Sequence, residues 1–330
     1  MRVIILGGAG FIGSHLCEYL LKKNYSVKII DNLSTGRIEN IKHLNNKVRF
    51  IKADISKKGK WENEFKKVDY VFHLAALADV VPSIDNPEKY YKSNVTGTFN
   101  VLQAIKKYNV KKLIYSASSS CYGIPKKYPT KETEKINPVF PYAVTKYLGE
   151  ELIIYWSKIY KIKYISLRLF NVYGPRSRTS GTYGAMFGVF LAQKLKKKPY
   201  TLVGDGKQSR DFTYVSDVVE VFLIAARSKL YNKIYNVGSS KTIQVKTIIK
   251  YMGGKYITVP KRPGEPDITF ADIKKIKKDL KWSPKIDIKV GIDIMLKNIK
   301  YWNNAPVWTK KSIKKVTKNW FKYLSNEKNN

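Results

Sequence analysis

The chain has 330 residues, of which 44% are hydrophobic and 26% are charged, proportions typical of a globular protein with a large buried core. Its 62 lysines and arginines exceed its 25 acidic residues by 37, but the basic residues are spread along the whole chain, so no separate basic arm indicates a specific nucleic-acid partner. The 2 cysteines and 3 histidines have no ligand spacing, which argues against a disulfide framework and predicts no metal site.

The first predicted element is a short buried strand at residues 3–6 that runs directly into a glycine-rich turn. This opening segment is too short to span a bilayer and has no signal-peptide cleavage region, so we expect a cytoplasmic protein with no membrane partner. Gly8, Gly10 and Gly13 follow the GxGxxG spacing, which lets backbone amides at a helix start approach a dinucleotide pyrophosphate. Asp31 ends the second strand, and its carboxylate favours NAD over NADP because it would repel a 2′-phosphate.

Apolar, β-branched segments alternate with helical patterns through the first half of the chain. Near-continuous apolar runs of this kind predict buried parallel strands with helices on both faces. They lie at residues 3–6, 27–30, 48–51, 68–74, 113–116 and 165–169. A later run at 234–237 is expected to return to the same sheet. The prediction is an α/β fold, namely a Rossmann-type doubly wound parallel sheet with a smaller interleaved C-terminal substrate lobe.

The predicted domain division follows the places where the strand pattern weakens. Residues 1–171 are expected to form the NAD-binding domain, with returning segments at about 211–240. The substrate-binding lobe is expected from residues 172–210 and 241–330, where alternation is poorer and Gly and Pro are more frequent. Aromatic and apolar residues at helical intervals in 308–324 predict a C-terminal helix docked on the body.

A second chemical motif is the pair Tyr142 and Lys146, four residues apart in a helical pattern. Residues at this spacing share one helix face, so the ammonium of Lys146 is expected near the Tyr142 phenol. An ammonium and a positive nicotinamide both favour the phenolate, and we expect them to lower the pKa of Tyr142. The strand at 113–116 leads into the serine-rich segment 116–123, which places hydroxyl groups upstream of this helix.

Together these motifs resemble the extended short-chain dehydrogenase/reductase family, and within it the nucleotide-sugar epimerases and dehydratases that include the UDP-glucose 4-epimerases. The similarity covers nearly the whole chain. It rests on ordered blocks, namely GGAGFIG at 7–13, HLAALADV at 73–80, SNVTGT at 93–98, SASSSCYG at 116–123, PYAVTK at 141–146, RLFNVYGPR at 168–176, GDGKQSRDFTYVSDV at 204–218 and RPGEPDITFAD at 262–272. The resemblance implies bound NAD, a nucleotide-sugar substrate and a homodimer.

The resemblance also implies roles for individual residues. Ser118, Tyr142 and Lys146 are the expected catalytic set, in which Ser118 hydrogen-bonds the sugar O4 and Tyr142 removes its proton while C4 is oxidised. The expected NAD contacts are Gly7, Gly10, Phe11, Ile12, Gly13, Asp31, Asn32, Asp54, Ile55, Leu74, Ala75, Ala76, Asn94, Ser116, Tyr142 and Lys146. The expected substrate contacts are Ser118, Ser119, Asn171, Arg178, Arg210, Arg262 and Thr269. Arg210 and Arg262 are expected on the diphosphate, and for Asp54 an ordinary helix cap is an equal alternative. For Asn94 the resemblance implies a position near the cofactor or near the helix of Tyr142 and Lys146.

The choice of reaction within the family depends on Ser119 and Ser120. Related 4,6-dehydratases carry an Asp-Glu pair here and UDP-glucuronate decarboxylases a Glu, whereas serine hydroxyls do not readily shuttle protons near neutral pH. This favours C4 epimerisation of UDP-Glc/UDP-Gal, and the small Thr269 leaves room for the N-acetyl group of UDP-GlcNAc/UDP-GalNAc. The alternatives are a 4,6-dehydratase, a UDP-glucuronate epimerase or decarboxylase whose carboxylate pairs with Arg176 and Arg178, and a non-enzymatic NAD- or polyanion-binding protein.

Overall fold

The computed structural model describes residues 1–177 and 183–325. In that part of the chain the strands are β1 (Arg2–Leu6), β2 (Ser26–Asp31), β3 (Val48–Lys52), β4 (Tyr70–His73), β5 (Lys112–Ser118), β6 (Tyr164–Leu169), β7 (Asn171–Tyr173), β8 (Tyr200–Val203), β9 (Ser209–Arg210), β10 (Phe212–Tyr214), β11 (Lys233–Val237), β12 (Ile243–Gln244) and β13 (Tyr256–Val259). The helices are α1 (Phe11–Lys22), α2 (Val80–Asp85), α3 (Pro87–Tyr91), α4 (Gly97–Tyr108), α5 (Pro141–Tyr160), α6 (Met186–Leu195), α7 (Val215–Arg227), α8 (Val245–Met252), α9 (Lys274–Leu280), α10 (Ile288–Lys297), α11 (Lys310–Val316) and α12 (Lys318–Leu324). None of the helices described here is long and apolar enough to cross a lipid bilayer.

The central feature is a 7-stranded parallel sheet with the order β11-β6-β5-β4-β1-β2-β3. This arrangement confirms the predicted doubly wound α/β fold, and β11 is the strand expected to return at 234–237. The direction of strand addition reverses at β1, which pairs with β2 on one side and with β4 on the other. A crevice forms at the carboxyl ends of the strands at such a reversal, and ligands bind there in open α/β sheets.

Alternate side chains of β1 enter different buried clusters on the two faces of the sheet. Val3 and Ile5 pack into one cluster, which also contains Phe222 of α7. Ile4 packs into the other cluster, together with Val101 of α4. Because helices cover both faces, successive residues of the strand must be apolar, and this is why the strand is a continuous apolar run in the sequence.

Outside the large sheet, β8 pairs with β13 and β9 pairs with β12. These pairs join segments that precede and follow β11, as an interleaved lobe requires, while the boundaries of that lobe stay a prediction. The helix expected over 308–324 is divided into α11 and α12 at Thr317. The hydroxyl of Thr317 donates to the carbonyl of Ile313 at 2.8 Å and thereby closes the last turn of α11.

Candidate active site

A cavity of about 630 Å³ opens at the carboxyl ends of the sheet strands and reaches β8 of the smaller lobe. Its lining includes predicted site residues from both lists, namely Gly7, Gly10, Phe11, Ile12, Gly13, Asp31, Asn32, Asp54, Ile55, Leu74, Ala75, Ala76, Ser116, Ser118, Ser119, Tyr142, Lys146, Asn171, Arg210, Arg262 and Thr269. Arg178 lies outside the described residues. The fold therefore brings the residues predicted for cofactor and for substrate into one space.

The glycine-rich turn after β1 is too compact for side chains at two positions. Gly7 has a φ of +81°, and a Cβ atom there would lie 2.7 Å from the backbone nitrogen of Ala75. A Cβ atom on Gly13 would lie 2.1 Å from the carbonyl oxygen of Gly7. Helix α1 begins directly after Gly10. Bare backbone at a helix start suits a pyrophosphate group, because the free N–H groups and the helix dipole attract an anion.

The carboxylate of Asp31 is fixed at the end of β2 and keeps lone pairs that can accept further hydrogen bonds. Its Oδ2 accepts a hydrogen bond from the N–H of Ala9 at 2.9 Å, and its Oδ1 accepts one from the N–H of Leu33 at 2.8 Å. Burial raises the pKa of Asp31, and the two hydrogen bonds oppose that rise. Such a carboxylate can accept further hydrogen bonds from ribose hydroxyls. Asp54 also lines the cavity, but its Oδ1 already accepts from the N–H and the hydroxyl of Ser56, at 2.9 and 2.7 Å.

Ser118 at the end of β5 meets Tyr142 from the first turn of α5. Ser118 caps the helical turn Ser119–Tyr122 by accepting the N–H of Ser120 at 3.2 Å, and the Oγ atoms of Ser118 and Ser120 lie 2.8 Å apart. Burial raises the pKa of Tyr142, and the hydroxyls of Ser118 and Ser120 beside the phenol oppose the rise. The sequence predicts that Lys146 and nicotinamide lower the pKa of Tyr142. In the folded protein this pKa is raised instead, because a buried phenolate loses its hydration.

Lys146 follows one helical turn after Tyr142 and is 5% exposed. Its Nζ lies 4.2 Å from the centroid of the Tyr115 ring, a cation–π contact. Burial lowers the pKa of Lys146 to about 7, and the carboxylate of Glu150 opposes this fall. A lysine with this pKa exchanges its proton near neutral pH, whereas an ordinary lysine stays charged there.

Asn94 is not part of the cavity lining but contacts α5, the helix that carries Tyr142 and Lys146. Its Nδ2 donates to the hydroxyl of Thr145 and to the carbonyl of Leu77, both at 3.0 Å, and its Oδ1 accepts the N–H of Leu77 at 2.8 Å. Asn94 is 1% exposed. These bonds place Asn94 beside α5, which is one of the two positions expected for it, while its contact with NAD stays a prediction.

Asn171, Thr269 and Arg210, which are predicted to contact the substrate, line the same cavity. The hydroxyl of Thr269 donates to Asn171 Oδ1 at 2.8 Å and accepts the N–H of Asp211 at 3.1 Å. Nη1 of Arg210 donates to the carbonyl of Asp267 at 3.2 Å. The Asn171 amide is thus oriented by Thr269, and the guanidinium of Arg210 retains N–H groups that can donate to a ligand.

The sequence does not indicate the surroundings of Arg262, the second predicted diphosphate residue. Its Nη2 pairs with Glu265 Oε1 at 2.7 Å, and its buried Nε has no hydrogen-bond partner among the described residues. Tyr183, Glu265 and Trp320 line the cavity beside it. Tyr183 and Trp320 are far from Arg262 in sequence and belong to no recognised block, so only the folded chain brings them to the site.

The guanidinium of Arg176 is engaged by other protein groups. Its Nη1 donates to Glu18 Oε1 at 2.7 Å and to the carbonyl of Asn40 at 3.0 Å. Its Nη2 lies 2.7 Å from Nδ1 of His15. A sugar carboxylate would have to displace these partners, which weakens the alternative in which Arg176 pairs with glucuronate.

Comparison with known proteins identifies the chain's family. The model of the NAD dependent epimerase/dehydratase family matches residues 3–238. The chain belongs to this family. Its cofactor is therefore NAD, and the compact glycine turn and the carboxylate of Asp31 fit that molecule.

Proteins that are similar to this chain act on several nucleotide sugars. A protein of Methanocaldococcus jannaschii is 41% identical over 88% of this chain and 95% of its own length. The UDP-glucose 4-epimerase of Lactobacillus helveticus is 34% identical over 86% of this chain and 92% of its own length. The structure of Thermotoga maritima UDP-glucose 4-epimerase with UDP-glucose superposes with a TM-score of 0.86 at 34% identity, over 91% of this chain and 99% of that one. The structure of Bacillus cereus UDP-glucuronic acid 4-epimerase, solved with UDP-glucuronic acid and NAD, superposes with a TM-score of 0.85 at 33% identity, over 91% of this chain and 99% of that one. The named relatives act on UDP-sugars and differ in the sugar.

Proposed function

We propose that the chain is a UDP-sugar 4-epimerase that interconverts UDP-Glc with UDP-Gal and accepts UDP-GlcNAc and UDP-GalNAc. The observation that carries this proposal is that Tyr142, Ser118 and Lys146 line one cavity together with the glycine turn. Ser119 and Ser120 directly follow Ser118, at the positions where the related dehydratases place acidic residues. The site therefore offers one phenol for proton transfer and no second acid directly after Ser118.

The chain's own residues would hold and move one proton at the sugar O4. The phenol of Tyr142 takes the proton, and the hydroxyl of Ser118 donates a hydrogen bond that stabilises the resulting phenolate. The charged form of Lys146 adds an attractive cation to the same buried region. When bound, NAD supplies the reversible oxidation of the sugar carbon. After the 4-keto sugar has rotated, C4 would be reduced again on its other face while Tyr142 returns the proton to O4, which completes the epimerisation.

Dehydration and decarboxylation need a further acid or base near C5 and C6. Ser119 and Ser120 occupy the two positions after Ser118, and neither hydroxyl ionises near neutral pH. Arg176 is held by Glu18 and by the Asn40 carbonyl, which disfavours a sugar with a C6 carboxylate. These observations support epimerisation of neutral hexoses over the alternative reactions of the family.

The diphosphate and the sugar would bind at opposite sides of the part of the cavity that Arg210, Arg262, Asn171 and Thr269 line. Arg210 and Arg262 supply two guanidinium groups, whose geometry suits phosphate oxygens. Asn171 and Thr269 meet through a hydrogen bond of 2.8 Å and would face the sugar. The small side chain of Thr269 supports a pocket that also admits an N-acetyl group.

The test is to incubate the purified protein with UDP-Glc, UDP-Gal, UDP-GlcNAc and UDP-GalNAc and to follow the sugars by NMR. We expect C4 epimers of both the hexoses and the N-acetylhexosamines. Tyr142→Phe removes the proton acceptor, and we expect it to lower kcat by about 10²–10⁴-fold while NAD remains bound. A 4-keto-6-deoxy product, release of CO₂, or full turnover by Tyr142→Phe would contradict the proposal.

We also propose that the enzyme is a homodimer that pairs through α5. Val144, Leu148, Tyr155 and Ile159 lie on one stripe of this helix and are 37%, 37%, 53% and 64% exposed. A second copy would cover this apolar stripe, because symmetric dimers bury self-complementary patches. Light scattering should give twice the chain mass for the wild type. Ile159→Lys should give a monomer, and a monomeric wild type would contradict this proposal.

A further inference from the structure

Trp320 of α12 reaches from the C-terminal segment into the wall of the substrate cavity. The side chain is 1% exposed, and its Nε1 donates to the carbonyl of Pro263 at 2.8 Å. Its ring centroid lies 5.0 Å from that of Phe140, which directly precedes the catalytic helix. Trp320 therefore links the C-terminal segment to the backbone next to Arg262 and to the start of α5.

The guanidinium of Arg262 lies between two aromatic rings. Its Cζ is 5.4 Å from the ring centroid of Tyr183 and 5.6 Å from that of Trp320. Glu265 holds one end of the guanidinium at 2.7 Å. The side chain lines the cavity and is 15% exposed, so part of the guanidinium can meet a ligand there, while its buried Nε has no hydrogen-bond partner among the described residues.

Both rings are themselves held by the C-terminal segment. The Tyr183 ring packs against Trp308, with centroids 5.3 Å apart. The carbonyl of Trp308 accepts a hydrogen bond from Nε2 of the buried Gln193 at 2.7 Å. On α12, Nδ2 of Asn319 donates to Asp85 at 2.7 Å. The segment from Trp308 to Trp320 is thus anchored on two sides of the cavity.

We propose that Trp320 is a positioning residue for the substrate diphosphate: together with Tyr183 it clamps Arg262, and the C-terminal segment is thereby an integral wall of the substrate site. This inference rests on the proposed function, which assigns Arg262 to the diphosphate. The clamp acts on binding, because it fixes a group that touches the diphosphate and not the reacting carbon. It predicts a specificity for diphosphate-linked sugars that depends on a residue from the end of the chain.

The experiment compares Trp320→Leu with Trp320→Phe and measures UDP binding by calorimetry and epimerase kinetics. Leucine keeps apolar bulk but has no ring, and we expect it to weaken UDP binding and to raise KM for the UDP-sugar about tenfold, with kcat little changed. Phenylalanine retains the ring and should restore most of the affinity. Trp302→Leu is the matched control, because Trp302 is equally buried but lies before this segment and bonds to the carbonyl of Ser177. It should lower Tm without changing UDP affinity.

The outcomes separate this inference from the proposed function. Wild-type affinity for UDP in Trp320→Leu, or equal losses in Trp320→Leu and Trp302→Leu, would overturn the clamp even if the enzyme is an epimerase. A wild-type protein that binds UDP but forms no C4 epimer would remove the proposed reaction and leave the clamp testable through UDP binding. A wild-type protein that does not bind UDP at all would overturn both.

Discussion

His73 is a buried titratable residue whose surroundings allow only its neutral form. It ends β4, is 0% exposed, and its Nε2 lies 2.9 Å from the hydroxyl of Thr98. Its Nδ1 has no hydrogen-bond partner among the described residues. Burial lowers the pKa of His73 to about 3, and the charge of Lys146 adds to the fall. A second proton on this ring would therefore be neither hydrated nor hydrogen-bonded.

This histidine should make the protein acid-sensitive. Above the pKa of about 6.5 for an unfolded histidine, both states are neutral and His73 contributes no pH dependence. Between that value and about 3, the unfolded chain binds a proton that the folded chain rejects, so stability falls with falling pH. The expected slope is about 1.4 kcal/mol per pH unit. Urea denaturation at several pH values between about 6.5 and 4 should give a steeper fall for wild type than for His73→Leu. Parallel curves would contradict the assignment.

At the scale of elements, a buried ion pair joins the catalytic helix to the sheet. Glu150 of α5 and Arg168 of β6 are 1% and 4% exposed, and Arg168 Nε lies 3.0 Å from Glu150 Oε2. Ser166 donates to the same carboxylate at 2.6 Å, and Nη1 of Arg168 donates to the hydroxyl of Tyr122 at 2.9 Å. Because Tyr142 and Lys146 lie on the same helix, this anchor fixes their position against the end of β5.

Breaking this pair from one side should cost far more than removing both partners. Glu150→Gln leaves the guanidinium of Arg168 buried without its countercharge, and we expect a loss of about 3–5 kcal/mol in the free energy of unfolding. The double variant Glu150→Gln with Arg168→Met removes that charge and should recover much of the loss. Chemical denaturation of the four proteins of this cycle measures the coupling. Additive losses would show that the pair does not hold the helix.

Periodicity and glycine spacing predict the sheet, the dinucleotide turn and the Tyr142 helix, because each depends on residues close together in sequence. The pair of Glu150 with Arg168 escapes prediction because it depends on the packing of α5 against β6. The same holds for Trp320, which returns to the site from the end of the chain. The direction of the Tyr142 pKa shift is also not predicted, since burial follows from the whole fold and outweighs the effect of the nearby serine hydroxyls.

At the scale of the whole molecule, the net charge of +37 leaves few acidic side chains to share among many basic ones. Some carboxylates accordingly serve two cations. Glu64 pairs with Lys28 at 2.9 Å and with Arg49 at 2.5 Å. Most of the excess charge has no such compensation, and like charges on a compact surface repel each other more than in the expanded unfolded chain. Self-repulsion therefore opposes folding over the molecule as a whole.

Salt should consequently stabilise this protein. Raising NaCl from about 20 to 300 mM shortens the Debye length from about 20 Å to about 6 Å, which screens the repulsion between distant lysines. We expect Tm to rise with NaCl, and to rise equally with sodium acetate if screening is the cause and not a bound anion. Replacing the exposed Lys274, Lys277 and Lys278 of α9 by Glu lowers the net charge by six and should give a higher Tm at low salt and a weaker salt response. A Tm that falls with salt would mean that surface ion pairs outweigh the repulsion. The net electrostatic interaction of the folded surface would then stabilise the protein, which contradicts this prediction.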